Sequence, residues 1–208
     1  MPINNGNINL DTKNKYLKIL DQEFYLGDLP LIGDHNLQNY SSAILGAYKN
    51  GISVEASIAS LMNFKGVKRR LEFKGEYNNI KIFDDFAHHP TAIELTIQAI
   101  RQKYQGYEVT VLFQPHTFSR TITFLDDFAE SLLGADNIYL CEIFASARET
   151  SGEVSIENLV QAVESKGKKV YRDLEFLKDK KEKHVVAVLG AGDIDKVYIP
   201  KVKEIFGR

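Results

Sequence analysis

Val109-Thr110-Val111-Leu112-Phe113 runs directly into Gln114-Pro115-His116-Thr117-Phe118-Ser119-Arg120. A short, continuous apolar run closed by a proline turn reads as a strand buried on both faces. Three more stretches have the same form. Residues 79–83 lead into Asp84-Asp85-Phe86-Ala87-His88-His89-Pro90, residues 138–144 into Ala145-Ser146-Ala147-Arg148-Glu149, and residues 185–189 into Gly190-Ala191-Gly192-Asp193. If these strands are parallel, all four loops leave one carboxyl edge, where open α/β sheets bind ligands. Two carboxylates, three histidines and two arginines then share one crevice.

Between the strands the apolar spacing turns helical, with Ile93, Ile97 and Ile100 in one segment and Leu125, Phe128 and Leu132 in another. The expected order from residue 69 is strand 69–77, a turn at Asn78-Asn79, a strand to 84, helix 91–104, strand 108–113, helix 121–133 and strand 137–144. Helix 155–166, strand 169–171, helix 174–181, strand 184–189 and a last helix near 199–206 follow. Strands alternating with amphipathic helices predict a Rossmann-like, mostly parallel sheet with helices on both faces. Before it, runs 16–20 and 23–26 suggest a hairpin or edge pair. Leu37, Tyr40, Ile44, Leu45 and Tyr48 mark a helix from about Asp34 to the stop at Asn50-Gly51, and a second helix covers about 54–62.

The chain has 208 residues, 44% of them hydrophobic, and a formal charge of −2. That supports a substantial core and gives no reason to expect nucleic acid or an anionic membrane as the main partner. The basic stretches 65–70 and 178–183 are each broken by apolar or acidic residues. The single cysteine, Cys141, lies in an apolar run and reads as a core thiol, so the chain is expected to be cytoplasmic. No stretch is long enough to span a bilayer, and residues 1–9 show no apolar signal region.

Several constellations carry chemistry. Asp84, Asp85, His88 and His89 crowd one loop, suited to proton transfer, metal ligation or ribose hydrogen bonding. Alternatively, Asp85 or a neighbour caps the following helix, with Pro90 fixing its first turn. His116 and Arg120 pair an imidazole with a planar donor fork that fits carboxylate or phosphate. A cation at a helix start opposes the dipole unless an anion sits there. Asn36 and Asn39, three apart on a helix, read either as two amides facing a base edge or as a cap and a polar surface. Gly190 and Gly192 read as a tight turn or a phosphate contact. No Gly-x-x-x-x-Gly-Lys-Ser/Thr loop occurs, and no Gly-x-Gly-x-x-Gly follows a strand. Zinc is disfavoured because no thiolate or regular ligand spacing is present, and no metal-ligating residue is assigned.

Five motifs then come in order: Gly33-Asp34-His35-Asn36-Leu37-Gln38-Asn39, Phe64-Lys65-Gly66-Val67-Lys68-Arg69-Arg70-Leu71-Glu72, residues 84–91, residues 113–121, and Gly190-Ala191-Gly192-Asp193-Ile194. Together they resemble the Mur ligase family. The resemblance implies that residues 1–71 are a small α+β remnant ending the central ATPase domain, and residues 72–208 the carboxyl-terminal domain. It implies an ATP- and Mg²⁺-dependent ligase of peptidoglycan precursor synthesis that joins L-alanine to UDP-N-acetylmuramate through an acyl phosphate, with this stretch inactive alone. By the same resemblance Asn36 and Asn39 hold adenine, Asp85 the ribose, and Arg70 lies near the nucleotide. His88 and Arg120 face the incoming amino acid, Arg120 taking its carboxylate. His89, His116, Ser146, Arg148, Gly190 and Gly192 complete that side. Some members carry arginine immediately after the histidine of the third loop. Thr117 stands there in this chain, which leaves Arg120 as the main clamp. Residues 84–93 with 69–72 are also similar to a family member that adds a whole tripeptide. A Rossmann-like binding module without catalysis is the remaining alternative.

Overall fold

The computed structural model describes residues 8–181 and 183–207. The expectation of no signal region at residues 1–9 therefore falls largely on residues 1–7, outside the described ones, as does residue 182 of the basic stretch 178–183. The chain forms two compact units, Met1–Gly66 and Val67–Arg208.

In the first unit, β1 (Ile8–Asp11), β2 (Tyr16–Ile19) and β3 (Gln22–Tyr25) form an antiparallel sheet in that order. The expected pair is thus three strands. The extra one, β1, lies in an Asn-rich stretch with weak strand propensity. Helix α1 (Asp34–Lys49) buries Leu37, Tyr40, Ser41, Ile44 and Leu45 on one stripe. It stops at Asn50 before Gly51, whose φ of 85° suits a residue without Cβ. Ser53 caps α2 (Val54–Leu61) by accepting from the Ala56 N–H at 3.2 Å. Leu17, Ile19, Leu26 and Leu29 join the apolar residues of α1 in this unit's core.

The second unit is a six-stranded sheet. In chain order its strands are β4 (Glu72–Tyr77), β5 (Ile80–Asp85), β6 (Glu108–Phe113), β7 (Asn137–Leu140), β8 (Val170–Tyr171) and β9 (His184–Leu189). Their spatial order is β4-β5-β9-β6-β7-β8, with β4 antiparallel to β5 and every other pair parallel. Asn78 and Asn79 turn the β4–β5 hairpin with φ of 51° and 63°, the left-handed pair that tight hairpins require. Along β9, Val185, Ala187 and Leu189 face one core and Val186 and Val188 the other. Helices α3 (Pro90–Lys103), α5 (Leu125–Leu132) and α6 (Ile156–Ser165) cover the first face; α7 (Ile194–Phe206) and a 3₁₀ helix (Leu174–Asp179) cover the second. The expected α/β class, mostly parallel with helices on both faces, is the observed one.

Local boundaries differ for physical reasons. The expected helix 121–133 is two, α4 (Phe118–Thr123) and α5, broken at Phe124, after three β-branched residues that propagate a helix poorly. The expected strand 137–144 ends at Leu140, because Pro115 on the neighbouring chain segment has no N–H to extend the ladder. Only a bridge between His116 and Phe144 survives beyond it. The last helix begins at Ile194 and carries the exposed Pro200 within it.

At the amino edge of the sheet a buried polar network joins three strands. His184 Nε2 lies 2.8 Å from the Thr110 hydroxyl, and Asn137 Nδ2 donates to Glu108 Oε1 at 2.7 Å, where Lys180 also donates. Burial holds the His184 imidazole below the usual histidine range, Glu108 pulling the other way. A depressed folded pKa means that the unfolded chain takes up the proton first as pH falls. His184 therefore contributes stability above about pH 6.5 that is lost as pH drops from there through the folded value. Thermal melts between pH 8 and pH 5 should show this loss in the parent and a shallower one in His184→Gln. Parallel slopes would remove the assignment.

Candidate functional site

The four loop-bearing strands end level with one another. Asp85 pairs with Leu189, Leu189 with Phe113, and Phe113 with Leu140. The loops continue this alignment: Gly190 N–H donates to Asp85 O at 3.1 Å, Gln114 N–H to Leu189 O at 3.0 Å, and Cys141 N–H to Phe113 O at 2.9 Å.

His116 stands at the centre of one cluster. Its ring stacks on Phe144 at 5.6 Å and lies 6.2 Å from the ring of His88. Burial lowers its pKa, the charges of Arg120 and His88 lower it further, and Glu149 opposes them. The imidazole is therefore neutral near pH 7, and its Nδ1 is buried without a hydrogen-bond partner. His88 Nδ1 lies 2.8 Å from the Phe86 carbonyl. A carbonyl can only accept, so the proton sits on Nδ1 and Nε2 of the neutral ring is left as a base. His89 is exposed and packs edge-on against Phe124 at 5.0 Å, so it faces α5.

The expected clash of Arg120 with a helix start does not arise: Arg120 lies in the last turn of the short α4, where a cation suits the dipole. Glu149 supplies the anion at the start of α4, accepting from Ser119 Oγ at 2.9 Å and Ser119 N–H at 2.5 Å. Ser146 and Glu149 close a tight turn through paired backbone bonds of 3.1 Å, and Arg148 is exposed at its tip. Thr117 adopts φ 68° and ψ 142°, a conformation strained for a β-branched residue. It is held there by its N–H to Phe144 O at 3.0 Å and by the Thr121 hydroxyl donating to its carbonyl at 2.7 Å.

The glycine loop packs too closely for side chains. A Cβ on Gly192 would lie 2.4 Å from Gln114 Oε1 and 2.5 Å from the Phe144 ring; one on Gly190 would lie 3.0 Å from Gln114 O. Gln114 is buried and donates to Asp193 Oδ1 at 3.1 Å. Gly192→Ala is expected to lower stability by about 1–3 kcal/mol through overpacking. Gly46→Ala, on open helix surface in α1, should raise it by about 0.5–1 kcal/mol. Denaturant titrations giving the two variants the same sign would contradict the packing argument.

Asp85 lies at the other rim. Its Oδ2 accepts from Leu71 N–H at 2.8 Å and the Thr96 hydroxyl at 3.3 Å, and its Oδ1 from Ala87 N–H at 2.8 Å. The capping reading does not hold, since the N-cap of α3 is His89 and no side chain caps it. Asp85 instead ties the loop after β5 and Thr96 in α3 to the turn at Leu71, and its Oδ1 retains a lone pair. Burial raises its pKa against these bonds and the charge of Arg70. Arg70 is exposed, its guanidinium 5.8 Å from the centre of the Phe86 ring. Asn36 and Asn39 belong to the first unit. Asn36 Nδ2 donates to Ile32 O at 2.7 Å, and Asn39 Nδ2 to Asn36 Oδ1 at 3.3 Å. That leaves Asn39 Oδ1 and one N–H of each amide for a base edge.

Sequence reasoning assigned no role to Arg69, Gln114 or Phe144. Gln114 had a detectable signal, a polar residue capping an apolar run. Cys141 is a buried thiol pushed up to about 12 by burial, as a core role requires. Among the described residues no three of His, Cys, Asp or Glu converge as metal ligands. They do not by themselves fit Mg²⁺. Among them, too, no helix is long and apolar enough to cross a membrane.

Residues 69–197 match the family model described as Mur ligase, glutamate ligase domain. Solved structures are similar over nearly the whole chain. A UDP-N-acetylmuramate–alanine ligase from Thermotoga maritima is 24% identical with TM-score 0.69, over 94% of this chain and 43% of that one. A murein peptide ligase from Psychrobacter arcticus is 23% identical with TM-score 0.61, over 97% and 44%. Folylpolyglutamate synthase from Thermotoga maritima is 18% identical with TM-score 0.58, over 97% and 47%. At these identities the likeness is one of fold, and the chain spans less than half the length of each structure.

Proposed function

Because this chain belongs to the Mur ligase family through its glutamate ligase domain, we propose that it supplies the amino-acid side and part of the nucleotide rim of an ATP-dependent ligase joining L-alanine to UDP-N-acetylmuramate. The observation that carries this reading is the convergence of His88, His116 and Arg120 beside the glycine loop at strand ends that lie level. A free amino acid is a zwitterion. Arg120 takes its carboxylate, and His88, whose Nδ1 is engaged with the Phe86 carbonyl, offers Nε2 to accept a proton from its ammonium so that the amine can attack. His116, kept neutral, adds no charge to repel that ammonium. ATP, when bound, supplies the phosphoryl group that activates the muramyl carboxylate. Asp85 holds its ribose, and Arg70 lies near its phosphates. Excluding water protects the activated carboxylate from hydrolysis.

In this reading residues 1–71 end the central ATPase domain and residues 72–208 form the carboxyl-terminal domain. The division of the chain after Gly66 and the family match from residue 69 support that assignment. The chain contains no phosphate-binding loop of the Gly-x-x-x-x-Gly-Lys-Ser/Thr form. The 208 residues alone should therefore show no amino-acid-dependent ATP hydrolysis, whereas the complete ligase should hydrolyse ATP only with both UDP-N-acetylmuramate and an amino acid present. Turnover by the 208 residues alone, measured as phosphate release, would sink the proposal that another segment supplies the phosphate-binding half.

A further inference from the structure

Arg69 is the most heavily engaged side chain at the carboxyl edge. Its Nη2 donates to Gly190 O at 2.5 Å and its Nη1 to Gly192 O at 3.1 Å. Its Nε lies 3.6 Å from Asp84 Oδ1, and its Nη1 3.5 Å from Asp195 Oδ1 in the first turn of α7. The guanidinium also sits over the Phe86 ring, 5.1 Å from its centre. The backbone is fixed as firmly: Arg69 N–H donates to Glu72 Oε2 at 2.9 Å, and its carbonyl accepts from Phe86 N–H at 2.7 Å. Arg69 and Leu71 both hold left-handed φ, 57° and 46°, so the turn between them presents the exposed Arg70.

The two carboxylates hold Arg69 by charge rather than by directed bonds. Arg69 Nε, both Asp84 oxygens and Asp195 Oδ1 are buried without hydrogen-bond partners. The directed bonds of the guanidinium go to the two glycine carbonyls. One side chain thus joins the turn carrying Arg70, the end of β5, the loop after β9 and the start of α7. We propose that Arg69 is a positioning residue that sets the Gly190–Gly192 backbone for the amino acid and locks it to the Arg70 turn, so that the amino-acid side and the nucleotide rim move as one body. The inference rests on the proposed function for what the loop binds, and on geometry alone for the brace.

The simpler role for Arg69, neutralising Asp84 and Asp195, makes a different forecast. Lysine keeps the charge but lacks the planar fork that reaches two carbonyls at once. Amide hydrogen exchange on the full 208-residue chain separates the two. With Arg69→Lys, exchange at Gly190 and Phe86 should rise about tenfold or more while β6 and the interior of β9 stay protected. Asp84→Asn, which removes charge but leaves the fork, should loosen Gly190 less. Unchanged exchange at Gly190 in Arg69→Lys, or an equal effect of Asp84→Asn, overturns the brace. In the complete ligase, Arg69→Lys should raise the KM for L-alanine about tenfold with a smaller change in kcat. A loosened loop with an unchanged KM overturns the positioning role. Failure of the unsubstituted ligase to use any amino acid instead overturns the functional reading, and is scored apart from the exchange result.

Discussion

Replacing Arg120 by alanine is expected to raise the KM for the amino acid about 100-fold in the complete ligase, with the KM for ATP changed less than about threefold. A charge-assisted bond between guanidinium and carboxylate contributes about 1.5–3 kcal/mol, and about 2.7 kcal/mol corresponds to 100-fold. In the proposed reading Arg120 is the main clamp, because Thr117 stands where some family members carry arginine. The neighbouring His116 is held below the usual histidine range by burial and by the charge of Arg120, with Glu149 opposing. Glu149 already anchors on Ser119 at the start of α4, which leaves the guanidinium for the substrate. Steady-state kinetics with each substrate varied in turn would show the split. Equal rises in both KM values would remove Arg120 as the clamp. Arg120→Lys should recover part of the loss, because it restores the charge without the fork.

Asp85→Ala is expected to act on stability and nucleotide binding together. Three donors, Leu71 N–H, Ala87 N–H and the Thr96 hydroxyl, lose their acceptor inside the protein. Leaving buried donors unsatisfied should cost about 2–4 kcal/mol in all, read from denaturant unfolding with an unchanged m value. The same substitution releases the turn that carries Arg70, so ADP affinity should fall more than the loss of a single ribose contact would cause. Asp85→Asn offers one acceptor oxygen in nearly the same volume and should fall between. Full stability in Asp85→Ala would mean that the three bonds do not hold the turn. Full ADP affinity would remove Asp85 and the turn from the nucleotide rim.

The sheet was legible because its signal is dense. The strands at 108–113 and 184–189 have continuous apolar runs, and their observed limits match the expected ones. Elements whose limits depend on a partner elsewhere in the fold were harder to read. Where β7 stops is decided by Pro115 on a neighbouring segment, which the run 137–144 does not reveal. The break at Phe124 follows from its packing against His89 and Phe128 as much as from the β-branched residues before it. β1 carries little propensity of its own and is a strand because β2 pairs with it.

The candidate site was legible by residue type and illegible by partner. Histidines, arginines and aspartates after strands stand out in any reading, and the structure places His88, His116 and Arg120 in one cluster and Gly190 and Gly192 in the adjoining loop. Arg69 and Arg70 look alike in sequence, yet one is half-buried among carbonyls and carboxylates and the other is exposed. Their difference comes from two left-handed residues in the turn, which no residue type there announces. Asp84 and Asp85 diverge in the same way, because adjacent strand residues face opposite sides of the sheet. Burial pushes Asp84 up to about 6 beside Arg69, while Asp85 on the other face accepts three bonds.

Under the proposed function this edge receives L-alanine for transfer to UDP-N-acetylmuramate. A one-pot competition tests it most directly: the complete ligase, ATP, Mg²⁺ and UDP-N-acetylmuramate with equal L-alanine, L-serine, glycine and tripeptide, the products weighed by mass spectrometry. The expected result is a dominant L-alanine adduct that disappears with Arg120→Ala. A dominant tripeptide adduct, or no adduct with any acceptor, would contradict it.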